Sequence, residues 1–114
     1  VVNRGYKPEI IKLDVNIQDY DVAAGGTPSW WYTMAPAVLT FLSENDWSGK
    51  KVIPFMTNGG WPGHVIKDMI RECKGAEIVQ PMEIQFDSQG GAELETPEKE
   101  IDAWIEKVVE EIGR

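Results

Sequence analysis

The order of strand-like and helix-like segments is the feature that most constrains the fold of this chain. Three times, a strand-like segment is followed by a loop and then by a segment with helical apolar spacing, starting at Val22, Val52 and Glu77. Strands joined by helices pair in parallel with right-handed connections, and the helices cover the sheet. The sequence therefore predicts an α/β fold: an open parallel sheet with helices on both faces.

The three predicted strands differ in composition. Residues 22–26 are mostly small, which in a strand marks the close approach of another backbone, a helix or a ligand. Residues 51–56 form a nearly continuous apolar run, as in a strand buried on both faces. Because Pro54 cannot donate to a ladder, either this strand stops being paired near its end or one side is free there. Residues 77–86 predict a third strand, interrupted at Pro81.

The predicted helices follow from apolar residues that recur at helical spacing. The first begins near Pro36, since a proline is accepted in a first turn. The last ends at Gly113 and has the longest apolar stripe of the chain. That stripe consists of Ile101, Trp104, Ile105, Val108, Val109 and Ile112.

Two unusual loops follow the carboxyl ends of the first two strands. Residues 27–34 carry the consecutive aromatic side chains Trp30, Trp31 and Tyr32, after a Thr-Pro-Ser run that breaks the strand period. Residues 57–63 contain a glycine pair and another tryptophan. Ligands of open parallel sheets bind beyond the carboxyl ends of the strands, so both loops are expected to lie side by side at a ligand site.

The two loops together resemble the flavodoxin family, in its branch with a Pro-x-Trp-Trp loop. The resemblance rests on Gly26-Thr27-Pro28-Ser29-Trp30-Trp31 and Thr57-Asn58-Gly59-Gly60, and extends over roughly residues 20–112. Their joint occurrence is far more specific than either motif alone. The resemblance implies a flavodoxin-like fold, FMN as cofactor, and electron transfer or flavin-dependent reduction as the activity.

In that family the first loop wraps one side of the isoalloxazine ring and the second lies along its pyrimidine edge. Carried over by resemblance, Trp31 or Trp30 is expected to stack on the ring, and N–H groups of the second loop to bond its polar edge. No catalytic residue and no metal ligand is assigned, because a flavin itself carries the chemistry. The matching positions are Thr27, Pro28, Ser29, Trp30, Trp31 and Tyr32, and then Thr57, Asn58, Gly59 and Gly60.

The N-terminal residues depart from the family pattern. Residues 1–19 are expected to be an arm, with a short strand at residues 9–15, ahead of a flavodoxin-like domain at residues 20–114. They supply no counterpart of the family's first strand and of the Ser/Thr-rich loop that holds the FMN phosphate. The fold is therefore expected to be N-terminally shortened, with an open sheet edge at residues 22–26. Such an edge pairs with another chain, and a homodimer is favoured.

Each of these features also has a plainer interpretation. Trp30 and Trp31 could seal the end of the core or a subunit interface, and Gly59-Gly60 could be only a tight turn. Trp61 is either a third wall of the site or a surface aromatic. The alternative function is accordingly a shortened flavodoxin-like domain that no longer binds FMN tightly and serves as an interaction or dimerisation module.

Charge and composition exclude several classes of function. A net charge of −8 argues against binding a nucleic-acid backbone, although it suits a basic redox-partner protein. The sequence has no apolar run of roughly 18 residues, so no membrane span is expected. One cysteine and one histidine make acyl transfer and zinc chemistry poor fits. The single cysteine also excludes an internal disulfide and is consistent with a cytoplasmic location.

Overall fold

A computed structural model describes residues 6–113 of the chain. Within these residues, five strands and three helices follow a short 3-10 turn at Ile17–Asp19. The strands are β1 (Val22–Trp30), β2 (Thr33–Met34), β3 (Lys51–Asn58), β4 (Glu77–Ile78) and β5 (Met82–Gln85). The helices are α1 (Pro36–Ser43), α2 (Val65–Glu72) and α3 (Glu98–Ile112).

Strand β3 lies at the centre of the sheet. It pairs in parallel with β1 on one side, from Val22↔Lys51 to Pro28↔Thr57. On its other side it pairs in parallel with β4 and then with β5. The predicted parallel sheet is confirmed, and so is the interruption of the third strand near Pro81. Strand β2 adds a short antiparallel partner to the end of β1.

The position of Pro54 explains how a proline fits into this central strand. Strand β4 pairs with β3 only as far as Val52, and β5 begins its pairing at Phe55. Pro54 itself is fully buried and lies opposite Gly25 of β1. The residue without an N–H group therefore coincides with the gap between β4 and β5, where one side of β3 is free.

Helices α1 and α2 cover one face of the sheet and enclose the main core. Val52 and Met56 of β3 pack there with Met69 of α2 and with Cys73, whose burial raises the pKa of its thiol to about 11. Trp47 is also buried there, and its Nε1 donates to the carbonyl oxygen of Leu42 at 2.8 Å. The sequence indicates only a turn around Trp47 and does not predict that its ring belongs to the core.

Helix α3 covers the other face, which confirms the expectation of helices on both faces. The ring of Trp104 packs against Phe55 with centroids 5.6 Å apart, and its Nε1 donates to the carbonyl oxygen of Gln80 at 2.6 Å. A Cβ at Gly26 would lie 2.4 Å from the ring of Phe55. Gly26 thus marks a close approach, but its neighbour is this side chain of β3 and not the backbone, helix or ligand that the sequence predicts.

The strand expected at residues 9–15 is wrong, because these residues are irregular. They pair with no strand of the sheet, and the Ile11 side chain is 91% exposed. The arm instead lies against α1, where Thr40 donates its hydroxyl to the carbonyl oxygen of Pro8 at 2.7 Å. Residues 1–5 of the predicted arm lie outside the described residues.

The strands also extend beyond their expected ends. Strand β1 continues through Thr27 and Pro28 to Trp30, and β3 continues to Asn58. The Thr-Pro-Ser run does not end β1, because Thr27 and Pro28 still pair with Met56 and Thr57. A proline is tolerated at this edge, since within the described residues no strand pairs with the other side of β1 at residues 22–28.

Candidate functional site

The three consecutive aromatic residues form the tip of a β-hairpin rather than an irregular loop. We call residues 29–34 the aromatic hairpin: Ser29 pairs with Met34 and Trp30 with Thr33. Trp31 and Tyr32 make the two-residue turn with φ angles of 51° and 69°. This is the pattern of a type I′ turn, where Asn, Asp or Gly is preferred because both central φ angles are positive.

Bulky side chains at these two positions store backbone strain. A non-glycine residue held at positive φ costs about 1–3 kcal/mol, and such residues cluster at functional sites. Burial does not offset the cost, because Trp31 is 71% and Tyr32 54% exposed. A strained turn that presents two rings to solvent is therefore a strong candidate for a binding element.

The start of α2 supports the turn from behind. The backbone N–H of His64 donates to the carbonyl oxygen of Tyr32 at 2.8 Å. Gly63, with φ of 58°, precedes it, and a Cβ there would lie 2.3 Å from the same oxygen. Only a glycine at this position lets α2 begin so close to the hairpin.

A buried carboxylate joins the hairpin to α2. Asp68 accepts a hydrogen bond from the Thr33 hydroxyl at 2.7 Å and also contacts Nδ1 of His64. Its second oxygen lies 3.2 Å from the Arg71 guanidinium. Burial raises the pKa of Asp68, but the hydrogen bonds from Thr33 and His64, with the charges of His64 and Arg71, lower it below the usual range. The carboxylate is therefore held ionised.

The second loop lies beside the hairpin, as the sequence predicts. It closes on itself through the Asn58 side chain, whose Oδ1 accepts the N–H of Gly60 at 2.8 Å. The hydroxyl of Ser29 on the hairpin donates to the carbonyl oxygen of Trp61 at 3.3 Å. Both loops thus meet at the carboxyl ends of β1 and β3.

A shallow cleft opens where the two loops meet. We call it the aromatic cleft; its volume is about 290 Å³. Ligand pockets usually measure about 300–1,000 Å³, so this cleft suits the flat part of a ligand better than a whole extended one. It is lined by Ser29, Trp31, Tyr32, Gly59 and Trp61.

The structure divides the predicted site residues into two groups. Ser29, Trp31, Tyr32 and Gly59 line the aromatic cleft, and Trp61 joins them as the third wall that the sequence leaves open. The remaining predicted positions lie outside its lining. They are Thr27, Pro28, Trp30, Thr57, Asn58 and Gly60.

The contacts of several of these residues explain their positions. Thr27 is buried, and its hydroxyl oxygen accepts the N–H of Ala35 at 3.0 Å. Trp30 is half-exposed and points to the face of β1 opposite Ser29, because strand side chains alternate. Thr57 and Asn58 belong to β3, and the N–H of Gly60 is already bonded within its own loop.

The cleft fits one part of FMN and not another. Three exposed aromatic walls suit a flat ring system. None of the five residues that line the cleft is Lys, Arg or His, so the cleft offers no positively charged partner to a phosphate. The fit therefore extends to the isoalloxazine ring alone.

Metal and membrane signals are absent from residues 6–113. No group of three or more His, Cys, Asp or Glu side chains in this part of the chain could hold a metal ion. None of the helices described there is long and apolar enough to cross a membrane.

Relief of the turn strain provides the first prediction. The double substitution of Trp31→Asn with Tyr32→Gly places the preferred type I′ residues in the turn and should raise the free energy of unfolding by about 1 kcal/mol or more. Chemical denaturation of both proteins measures this difference. The double substitution Trp31→Ala with Tyr32→Ala is the control, since it removes the rings without supplying Asn-Gly. Equal stability of the two variants would contradict a strained turn.

Comparison with known proteins places the chain in a family. The flavodoxin family model matches residues 1–108, which include both loops and the N-terminal arm. Neither the curated proteins nor the solved structures gave a match. Because the family model covers nearly the whole chain and its fold is the α/β sheet described above, the chain belongs to the flavodoxin family.

Proposed function

We propose that the aromatic cleft binds the isoalloxazine ring of a flavin and that the protein acts in electron transfer or flavin-dependent reduction. The observation that carries this proposal is the meeting of two loops in one cleft, with Trp31, Tyr32 and Trp61 as its walls. Membership of the flavodoxin family supports a flavin, with FMN as its usual form, over other flat ligands.

The chain's own contribution is to hold and orient the ring. Trp31 and Tyr32 are presented by a hairpin that α2 supports, so little conformational freedom is lost when a ligand stacks on them. A bound flavin supplies the redox chemistry. The surrounding rings exclude water from one face of the ligand, and no side chain is assigned a catalytic role.

The strength of binding follows from the contacts that the cleft offers. Stacking of a nucleic-acid base on an aromatic side chain contributes about 1–3 kcal/mol, and we take a flavin ring to be comparable. Stacking on both faces of the ring contributes about 2–6 kcal/mol, so binding no tighter than tens of micromolar is expected from these contacts. The phosphate adds little, since a charged hydrogen bond of about 1.5–3 kcal/mol requires a partner that the cleft does not provide.

The acidic surface bears on the partner of such a reaction. The net charge of −8 would steer a basic protein towards the chain. We therefore propose a basic redox partner, which would approach the exposed rings at the carboxyl ends of β1 and β3. The rate of association should fall as the salt concentration rises, because exposed charges are screened.

Flavin titration tests the proposed function. Riboflavin and FMN should bind with affinities within about fivefold of each other, because the cleft holds no cation for the phosphate. The substitution Trp31→Ala should weaken both by about tenfold while changing the melting temperature little, since this exposed ring stacks rather than packs. Quenching of flavin fluorescence gives the affinities.

Trp30→Ala is the matched control, because the neighbouring tryptophan lies on the opposite face of β1 and should leave the affinity unchanged. Strong preference for FMN over riboflavin would show a phosphate site outside the cleft. A Trp31→Ala protein that melts far earlier yet binds flavin as before would show that this ring serves the core and that the proposal is wrong.

A second candidate function is an interaction module, and the open side of β1 favours it. In residues 6–113 no strand pairs with this side at residues 22–28, and β1 carries no charged side chain that would discourage pairing. Helix α3 also leaves apolar side chains exposed at helical spacing, namely Ile105, Val109 and Ile112. Unpaired edges and exposed apolar stripes are typical of surfaces that another chain covers.

A homodimer joined through β1 is the form in which this module would act. Light scattering after size-exclusion chromatography should give the mass of a dimer at micromolar concentration. The substitution Ala24→Lys places a charge on the open strand and should shift the protein to a monomer, because lysine on an edge discourages pairing. Gln89→Lys, in an exposed turn, is the control; a wild-type monomer would refute the module without affecting the flavin site.

A further inference from the structure

We propose that Asp68 is a positioning residue for the aromatic cleft: it fixes the aromatic hairpin against α2 so that the cleft is formed before a ligand arrives. The part of this inference that concerns ligand affinity rests on the proposed flavin function. The part that concerns the order of the hairpin does not depend on any ligand.

The contacts of Asp68 connect separate elements. Asp68 lies in the first turn of α2 and is only 6% exposed. One of its oxygens accepts a hydrogen bond from the hydroxyl of Thr33. Thr33 belongs to β2 and lies thirty-five positions earlier in the chain. The other partners are Arg71, on α2 itself, and His64, immediately before the helix. The Thr33 contact is thus the one of these that ties the hairpin to the helix.

The hairpin needs such a tie because its own ladder is short. Strand β2 has two residues and pairs with β1 only at Trp30↔Thr33 and Ser29↔Met34. The turn between them holds Trp31 and Tyr32 at positive φ, which favours opening. Met34 is anchored in the main core, but the residues nearer the turn have only the ladder pair Trp30↔Thr33. A hydrogen bond to a buried carboxylate is among the stronger ones, so it adds most at Thr33.

Three contacts from α2 and from the two residues before it act on adjacent hairpin residues. Asp68 holds Thr33, and the N–H of His64 holds the carbonyl oxygen of Tyr32 next to it. Gly63 lies against the same tyrosine. Tyr32 is also a wall of the aromatic cleft. Release of Thr33 should therefore displace a cleft wall while β1, β3 and the core stay in place.

The chemistry of the pair explains why one hydroxyl should matter. A buried carboxylate is tolerated because donors satisfy it, and each lost donor leaves an oxygen partly unsatisfied. Substitution of Thr33 by valine keeps the shape and removes the donor. Asp68 would then retain Arg71 on its own helix and His64 at the start of that helix, so α2 should stay folded while the hairpin is released.

The test compares three variants. Thr33→Val removes the hydroxyl, and Thr33→Ser keeps it. Thr40→Val is the matched control, because Thr40 is a buried threonine on α1 whose hydroxyl donates to the carbonyl oxygen of Pro8 at 2.7 Å, away from the cleft. Amide hydrogen exchange of residues 31–34, the global free energy of unfolding and the affinity for riboflavin are measured for each.

Thr33→Val should speed exchange at residues 31–34 by at least about tenfold and weaken riboflavin binding by about fivefold, since a mobile wall must be ordered on binding. Thr33→Ser should stay within about twofold of the wild type in both, because the donor is retained. Thr40→Val should lower the global free energy of unfolding. Amide exchange at residues 31–34 should then change no more than amide exchange in the core strands.

The inference is overturned if Thr33→Val leaves exchange at residues 31–34 unchanged, or if Thr40→Val accelerates it equally. A Thr33→Val chain that fails to fold would overturn it as well, because the role of the hydroxyl would then be global. If the wild type binds no riboflavin, the proposed function fails, and the exchange measurement still decides whether Asp68 positions the hairpin.

Discussion

The parallel pairing of β1 with β3 is the interaction on which the rest of this structure depends. It runs from Val22↔Lys51 to Pro28↔Thr57 and brings the carboxyl ends of both strands to the same edge of the sheet. The aromatic hairpin continues one strand, and the glycine-containing loop continues the other. Their contact in the aromatic cleft is a direct consequence of this register, because a shift would separate Ser29 from Trp61.

The aromatic cleft lies between a well-packed core and a turn with unfavourable backbone angles. The buried side chains of β3 and α2 form the main core and give α2 a fixed position. From that position, backbone and side-chain groups at the start of α2 hold a turn whose residues, Trp31 and Tyr32, are poorly suited to its geometry. This arrangement costs stability, and a local rule broken in this way supports the proposal that the rings bind a ligand.

The sequence predicts most of the fold because its strongest signals are local. The apolar run around Val52 and the proline at position 81 indicate a central buried strand and an interrupted neighbour, and both are confirmed. The extension of β1 through Pro28 is not predictable in this way, because it depends on an open side of the sheet. The strand at residues 9–15 fails for a different reason: alternation alone does not decide whether a segment pairs, and this one stays irregular although one side of β1 is open.

The candidate site shows the same division. The two loop motifs predict that the loops meet, and they include most of the lining of the cleft. They do not distinguish Trp31 from Trp30, because that choice depends on where β1 ends and on which face each ring lies. The contact between Asp68 and Thr33 leaves no trace in the sequence, since it joins two residues far apart in the chain.

The most direct test of the central claim is chemical-shift mapping of the ¹⁵N-labelled protein with riboflavin. If the cleft binds the ring, shifts concentrate on the backbone of the aromatic hairpin, on Gly59, and on the indole N–H groups of Trp31 and Trp61, which line the cleft. The indole N–H of the buried Trp47 should not move. Shifts confined to the open side of β1, or to α3, would contradict the account, because a flat ligand would then bind away from the cleft.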